Sequence, residues 1–499
     1  MPDDVLLVDE PPPVLAAVRR RVLLVALGGG ALAAWMAFPT LFDGAPIGTG
    51  MTLLLMVPVL AVLGGWFVVS TSPSRAATAL LLGALLLLPW LAVRAAPGLV
   101  ALDLAGAFGL VSVAIYRYRR DTPALSLTDH LRVVAWAPFS VVIQPFRFLR
   151  DDLDGVASSL RQRRQTVAVL RGLAIAAIPL VVFGALLASA DAVFSNLLEG
   201  LFGFDPGGLL KGVGATLFVA WVVVGQLRFA LGSRLLVEIP RDSGYLGAIE
   251  VVTILGSLAL MFTAFVVIQF AYLFGGVDTI EATGGLTRAE YYRQGFFQLV
   301  IVAALVVVLV LVLDWWHRPR ETRHFRLVLV LFEALIALTG VMVVSALVRL
   351  DLYVDSFGLS QLRVYTAALV VWIAVVLVLL GWLVLRGRRD HLAPGAIAAA
   401  FAVVLALNIA NPDALTARVN IDRHVERGVE LDLGYLSTLS ADAIGAIADR
   451  ATGSICSDLR QVAFEITGEP GSDDFRTFHW ARSRAEDLVA EIPGLGPCG

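Results

Sequence analysis

Charged residues, cysteines and the motifs of soluble enzymes are all scarce in this 499-residue sequence. Only 16% of the residues are charged and the net charge is −3, which excludes the strongly basic surface of a nucleic acid-binding protein. The sequence contains no GxxxxGK[ST] phosphate loop, no GxSxG elbow and no HExxH, and its six histidines are scattered. We therefore predict no metal site, no cofactor and no nucleic acid partner, and the residues favour a non-enzymatic role over an enzymatic one.

Apolar residues are abundant instead, at 58% of the chain, and they occur in long blocks. A block such as LVIVAALVVVLVLVL (299–313) is apolar on every side, as in a helix surrounded by lipid. The sequence predicts an all-α protein, a polytopic transmembrane bundle of about eleven spans. The predicted spans are 21–38, 51–70, 76–93, 98–116, 167–190, 207–227, 247–274, 295–315, 327–348, 364–385 and 392–410.

Lysine and arginine predict the orientation, because they are retained in cytoplasmic loops. Most of them fall in loops that are cytoplasmic if the N-terminus is inside and 129–149 lies in the interface rather than crossing. A signal peptide at the first span is the alternative, but no clear cleavage site follows. We divide the chain into a cytoplasmic N-terminal tail (1–20), a four-span block (21–116), a basic cytoplasmic connection with an interfacial helix (117–166), a seven-span block (167–410) and a small extracytoplasmic helical domain (411–499).

The C-terminal segment 411–499 is too polar for lipid, and acidic residues outnumber basic ones in it. Apolar residues recur at helical spacing in 435–451 and 478–492. Asn411 to Asp413 has the pattern of a turn and helix start, and Ser440 to Asp442 that of a second helix cap. On an oxidising side of the membrane Cys456 and Cys498 are able to form a disulfide; the alternative is two unpaired small residues.

Polar residues in or beside the spans are the candidate functional residues, because they are costly in hydrocarbon and tend to face the bundle interior. Several have simpler explanations: helix capping for Asp191, interfacial pairing or snorkelling for Arg349 and Arg363, and interhelical hydrogen bonds for Gln269 and Gln298. By position, most fall in the outer half of the membrane. We predict one outward-facing polar cavity lined by Asp103, Asp191, Gln269, Gln298, Arg349, Tyr353, Arg363 and Asn408.

Glu333 is the exception, because it lies about two turns into the span 327–348 from the cytoplasmic end. A carboxylate there must be paired, hydrated or protonated. A structural pair with Arg228 or a similar residue is favoured over proton coupling.

Five motifs resemble a bacterial family of polytopic membrane proteins, the domain of unknown function 4173, related to the 4153 type. They are SADAVF (189–194), RAEYYRQGFFQLV (288–300), LYVDSFGLSQLRVYTAALVVW (352–372), NPDALTARVNIDR (411–423) and LDLGYLSTLSADA (431–443). The resemblance implies a multi-pass protein of the bacterial cell membrane and no particular activity.

Three functions compete. The first is an extracytoplasmic sensor or regulatory protein that contacts membrane lipid and another envelope protein, and the second is a transporter or lipid-handling protein that uses the cavity. The third is a transferase acting on a lipid-linked substrate with Asp43 in the first outer loop, which ranks last because that loop is short.

Labelling of Cys456 and Cys498 in intact cells tests the topology. We expect a membrane-impermeant thiol reagent to label them from outside, and only after reduction, because the segment is predicted to be extracytoplasmic and disulfide-bonded. Labelling that requires permeabilised cells contradicts the orientation and makes 129–149 a further span.

Overall fold

Helices account for every regular element in the part of the chain that the structure describes. This computed structural model describes residues 28–41, 47–68, 74–118, 145, 206–232, 248–274, 299–310, 313, 322–388, 391–467 and 474–491. The prediction of an all-α protein is confirmed for these residues. The segments 1–20, 167–190 and nearly all of 129–149, for which we made predictions, lie outside them.

Fifteen α-helical segments are described. In chain order they are α1 (28–41), α2 (Thr49–Val68), α3 (Arg75–Leu87, continued by a 3₁₀ turn Leu88–Ala92), α4 (Pro97–Tyr118), α5 (Pro206–Gly232), α6 (Ala248–Phe274), α7 (299–310), α8 (Thr322–Phe357), α9 (Gln361–Arg386), α10 (Leu392–Ala410), α11 (Pro412–Arg427), α12 (Leu433–Ser437), α13 (Ile444–Ala448), α14 (Cys456–Thr467) and α15 (Trp480–Glu491).

Six helical segments among the described residues are long and apolar enough to cross a membrane. They are Arg75–Ala92, Pro97–Ile115, Ile249–Val267, Arg326–Phe357, Gln361–Arg386 and Leu392–Ala410, and each coincides with a predicted span. Three shorter apolar helices, Thr49–Gly64, Gly212–Leu227 and Leu299–Val310, fall at three further predicted spans. The total of about eleven spans stays a prediction.

Large apolar side chains lie on the exposed outer surfaces of these helices as well as at the interfaces between them. Leu260 is 73% exposed, Val378 72% and Phe218 67%. Water would penalise such a surface, whereas lipid accepts it, so the exposed surface itself indicates a helical membrane protein.

Two apolar cores hold the long helices together. The first joins α2, α3, α4 and α5 around Val59, Leu81, Leu110 and Val223. The second joins α6, α7, α8 and α9 around residues such as Leu255, Phe332 and Leu380. Helix α10 contacts both, because Leu392 belongs to the second core and Phe401 packs against the first.

The helices after α10 enclose a separate core. Ile421, Leu436, Ile447, Leu459 and Val489 are buried together there. We call α11 to α15 the C-terminal helices. The predicted helical spacing in 435–451 and 478–492 corresponds to α12, α13 and α15, with turns interrupting the first stretch. That this segment is an independent domain stays a prediction.

Asn411 alone separates α10 from α11. Its backbone is left-handed (φ 54°), its amide donates to Leu407 O (3.0 Å), and its Oδ1 accepts from the amide of Ala414 (3.2 Å). Ser440 Oγ similarly accepts from the amide of Asp442 (3.3 Å). Both helix starts that the sequence predicted, at Asn411 and at Ser440, are therefore confirmed.

Replacement of Gly98 by alanine tests the packing of α4 on α9. A Cβ at Gly98 would lie 2.7 Å from the Tyr365 ring, closer than real contacts allow, whereas a Cβ at Gly109 on the same helix meets nothing within 4 Å. We expect Gly98→Ala to cost about 1–3 kcal/mol and to lower the thermal midpoint in detergent, followed by circular dichroism. Gly109→Ala is the matched control, and equal midpoints for the two variants would contradict this packing.

Candidate functional site

Several long helices meet the C-terminal helices at one end of the bundle, which we call the covered end. Helices α2, α4 and α9 begin there, and α3, α8 and α10 end there, as the contacts below establish. A helix end carries four backbone groups without partners inside the helix, so an end at a membrane surface needs other partners. The C-terminal helices supply many of them.

The segment 474–479 covers the start of α2. The amide of Thr49 donates to Phe478 O (3.0 Å), the amide of Gly50 donates to Arg476 O (2.8 Å), and Thr49 Oγ1 donates to Phe475 O. A Cβ at Gly48 would lie 2.7 Å from Thr477 O, so glycine permits this approach. The segment therefore satisfies amides that α2 itself leaves open.

Asp442 covers the start of α4 in the same way. Its Oδ2 accepts from the amides of Ala95 (2.6 Å) and Ala96 (3.0 Å), and its Oδ1 accepts from Arg94 Nη1 (3.3 Å). Burial raises the pKa of Asp442, and Arg94 and the two amides oppose that rise because they favour the carboxylate. Next to this group His479 is buried, which lowers its pKa and favours the neutral ring.

Arg94 links this contact to the interior of the bundle. Its Nε donates to the backbone carbonyl of Asn408 (2.8 Å), and Asn408 Nδ2 donates to Asp103 Oδ1 (2.7 Å). Asp103 and Asn408 are both 0% exposed. Asp103 Oδ2 and Asn408 Oδ1 have no hydrogen-bond partner among the described residues.

The turn between α8 and α9 contacts α11 through paired hydrogen bonds. The amide of Leu359 donates to Asn420 Oδ1 (2.8 Å), and Asn420 Nδ2 donates to Leu359 O (2.8 Å). Gly358 has a left-handed backbone (φ 80°), and a Cβ there would lie 2.6 Å from Asn420 Oδ1. Glycine is required at this turn on both counts.

The start of α9 is held by two further residues of the C-terminal helices. The amide of Gln361 donates to the Tyr435 hydroxyl (2.9 Å). Asp413, which is 0% exposed, accepts from the Gln361 side chain and from the amide of Ser440 (2.8 Å). The α8–α9 turn is thus hydrogen-bonded to both α11 and α12.

A cavity of about 290 Å³ lies between this turn and the C-terminal helices. Its walls come from the turn, from α11 and from the segment before α12. It is lined by Ser356, Phe357, Leu359, Ser360, Arg363, Asn420, Arg423, Val429, Glu430, Leu431, Asp432 and Tyr435.

The basic and the acidic residues around this cavity come from different segments of the chain. Arg363 stacks on the Tyr353 ring at 4.2 Å and donates to the carbonyls of Phe357 and Gly358. Arg423 donates to the Asp355 carbonyl through Nη2 (2.6 Å), while its Nε is buried without a hydrogen-bond partner among the described residues. The two carboxylates, Glu430 and Asp432, come from the segment before α12.

Six of the eight predicted cavity residues lie in described segments. Asp103 contacts Asn408 inside the bundle, and Tyr353 contacts Arg363 at the α8–α9 turn. Arg349 is 9% exposed on α8, and Gln269 lies in α6. Asp191 and Gln298 lie outside the described residues. That all eight line a single cavity stays a prediction.

Glu333 packs against α9. Its Oε2 would be 3.2 Å from a Cβ at Gly381, and its Oε1 is buried without a hydrogen-bond partner among the residues that the structure describes. The side chain of Arg228, the expected partner, lies outside that set, so this pairing stays a prediction.

The predicted disulfide involves Cys456, which begins α14 in the C-terminal helices. Cys456 is 7% exposed and is not a free thiol, but Cys498 lies outside the described residues, so their pairing stays a prediction.

Within the described ranges no three histidine, cysteine or acidic side chains cluster as metal ligands.

Sequence reasoning missed Asp413, Asn420, Arg423, Glu430, Asp432, Tyr435 and Arg94 as site residues. All but Arg94 and Glu430 fall within two motifs that carry the resemblance, 411–423 and 431–443, which is the signal that singles out these stretches.

The apolar bundle and its covered end define the protein as a membrane protein whose described part is all-helical. The model of the family described as "Domain of unknown function (DUF4153)" matches residues 76–450, and the chain belongs to this family. The expected relation to the 4153 type is thereby confirmed, while the 4173 assignment stays a prediction. No curated protein and no solved structure matches the chain.

Replacement of Asp442 by alanine tests whether the C-terminal helices are anchored at the start of α4. The variant leaves Arg94 and two amides without their acceptor, and we expect a loss on the order of 3 kcal/mol. Hydrogen exchange should accelerate in 433–448 and 95–100. Asp449→Ala, at an exposed position on the same segment, is the control. Unchanged exchange at 95–100 in Asp442→Ala would contradict the anchor.

Proposed function

We propose that this protein is an extracytoplasmic sensor or regulatory protein of the bacterial cell membrane, with its ligand site in the cavity between the α8–α9 turn and the C-terminal helices. The single observation that carries the proposal is the position of that cavity. Its walls belong to both parts of the molecule, so an occupant contacts the membrane helices and the C-terminal helices together.

The distribution of basic residues supports the extracytoplasmic side. The end of the bundle opposite the covered end carries Arg75, Arg117, Arg326, Arg386 and Arg388, at or near the ends of α3, α4, α8 and α9. The two short connections at the covered end have fewer, since 93–96 contains Arg94 and 358–360 contains no basic residue. Cytoplasmic loops are the ones that retain lysine and arginine, which favours the covered end outside.

The chemistry of the cavity favours a small zwitterion, a molecule with both an anionic and a cationic group. Arg363 and Arg423 are available to a carboxylate or phosphate on one side, and Glu430 and Asp432 to an ammonium group on the other. The Tyr435 hydroxyl accepts from Gln361 and keeps its own proton to donate. A volume of about 290 Å³ suits an amino acid or a dipeptide rather than a lipid.

Binding would act through the packing of the C-terminal helices. A ligand that bridges Arg423 on α11 to the α8–α9 turn stabilises the arrangement in which both segments are in contact. The equilibrium shifts only by the difference in the ligand's affinity for the two arrangements. The surface of the C-terminal helices then presents different conformations to an envelope partner with and without ligand.

Glycylglycine, a zwitterion of the right size, is the probe for this site. In purified full-length protein we expect it to slow hydrogen exchange in 356–363 and 429–435. We expect Arg423→Gln to abolish the effect, because it removes a guanidinium whose Nε has no hydrogen-bond partner among the described residues. Arg427→Gln is the matched control, since Arg427 lies on the same helix but pairs with Asp355 at the surface (3.4 Å). Acetate has only the anionic group and ethylammonium only the cationic one, so these two compounds test whether the site needs both charged groups on one ligand.

Two results would contradict the proposal. One is an absence of protection by glycylglycine and by free amino acids alike. The other is protection that persists unchanged in Arg423→Gln. Accumulation of the probe inside proteoliposomes would instead favour the transporter that the sequence leaves as the alternative.

A further inference from the structure

A fully buried carboxyl group lies inside the bundle without a positive partner among the described residues. Asp103 is six residues into α4, about 9 Å from the start of that helix, and its side chain is 0% exposed. Its described hydrogen bond comes from the Asn408 amide (2.7 Å), which carries no charge. An ionised carboxylate is costly in such surroundings unless a cation compensates it.

Unpartnered oxygen atoms surround this position. Asp103 Oδ2 and Asn408 Oδ1 have no hydrogen-bond partner among the described residues. The Tyr365 hydroxyl on α9 is also buried in this region, and its ring packs on α4 at Gly98. Native proteins rarely leave buried polar atoms unsatisfied, so several in one region need an explanation.

In the part of the chain that the structure describes, the neighbouring charged groups do not supply the missing cation. Arg94 is held by Asp442 and by the Asn408 carbonyl, and does not reach the Asp103 side chain. Asp413 and Asp442, the acidic groups whose charges act on the Tyr365 hydroxyl together with Asp103, bring no positive charge either. The described surroundings therefore leave an ionised Asp103 uncompensated, which favours uptake of a positive ion.

We propose that Asp103 and Asn408 form a binding site for a monovalent cation, H⁺ or Na⁺, inside the membrane bundle. As a proton site, Asp103 is a neutral acid whose Oδ2 carries the hydrogen. As a sodium site, Asp103 Oδ2 and Asn408 Oδ1 supply two of the oxygen ligands that hard cations take. The site is separate from the cavity at the α8–α9 turn and does not depend on the ligand proposed there.

Occupancy of this site is coupled to the covered end. Asn408 contacts Asp103 through its side chain and Arg94 through its carbonyl, and Arg94 contacts Asp442 on the C-terminal helices. Helix α10 continues into α11 directly after Asn411. Two residues, Asn408 and Arg94, therefore connect Asp103 to Asp442, the residue that anchors the C-terminal helices.

Asp103→Asn is the decisive variant, because asparagine keeps the shape and a hydrogen bond to Asn408 but has no titratable proton and no negative charge to hold sodium. Purified full-length protein in detergent is studied by infrared spectroscopy and by thermal unfolding. For a proton site we expect a protonated-carboxyl carbonyl band at neutral pH that is lost in Asp103→Asn. For a sodium site we expect the unfolding midpoint to rise in NaCl relative to N-methylglucamine chloride, with loss of that rise in the variant.

Asp355→Asn is the matched control, because it removes an acid at the same end of the bundle whose side chain is 61% exposed and pairs with Arg427. It should change neither signal. If Asp103→Asn does not fold, Asn408→Asp provides the second test: two adjacent carboxyl groups should retain a proton to higher pH or bind sodium more tightly than the wild type. The absence of both signals in the wild type, or their persistence in Asp103→Asn, overturns the proposal.

Discussion

The need of helix ends for hydrogen-bond partners at a membrane surface organises this molecule. Asp442 accepts from two amides at the start of α4 and from Arg94, so one carboxylate joins the C-terminal helices to the membrane helices. Backbone carbonyls at 475–478 do the same for α2, and Asn420 does it for the α8–α9 turn. Removing any of these partners leaves buried amides unsatisfied, which costs more than a typical surface hydrogen bond contributes.

The C-terminal helices are polar for a related reason. They must be soluble on one side and must present carboxylates and carbonyls to helix ends on the other. Buried acids such as Asp413 and Asp442 therefore belong to the contact with the membrane helices rather than to the exposed surface. The cavity lies where this contact is incomplete, beside the Asn420 and Tyr435 hydrogen bonds.

Local sequence signals predicted the parts of this structure that depend on local physics. Long apolar blocks gave the six long helices, and Asn411 and Ser440 gave two helix starts. The long-range contacts had no such signal, since Arg94 and Asp442 are 348 positions apart. Asp103 and Asn408 were each identifiable as costly polar residues in a span, but their contact depends on how α4 and α10 are rotated, and apolar blocks without a polar face leave that rotation open.

The single-residue connection at Asn411 limits how the two parts can move. Its backbone amide is bonded to Leu407 of α10, and its side chain to Ala414 of α11 and to the carbonyl of Asp442, so hydrogen bonds on both sides restrain the junction. A flexible linker would absorb a small tilt of α10 in the bilayer. Here the same tilt would act on the hydrogen bonds between Asn420 of α11 and Leu359 at the α8–α9 turn, because a single residue separates α10 from α11. A change in bilayer thickness that tilts α10 would therefore reach the C-terminal helices through Asn411.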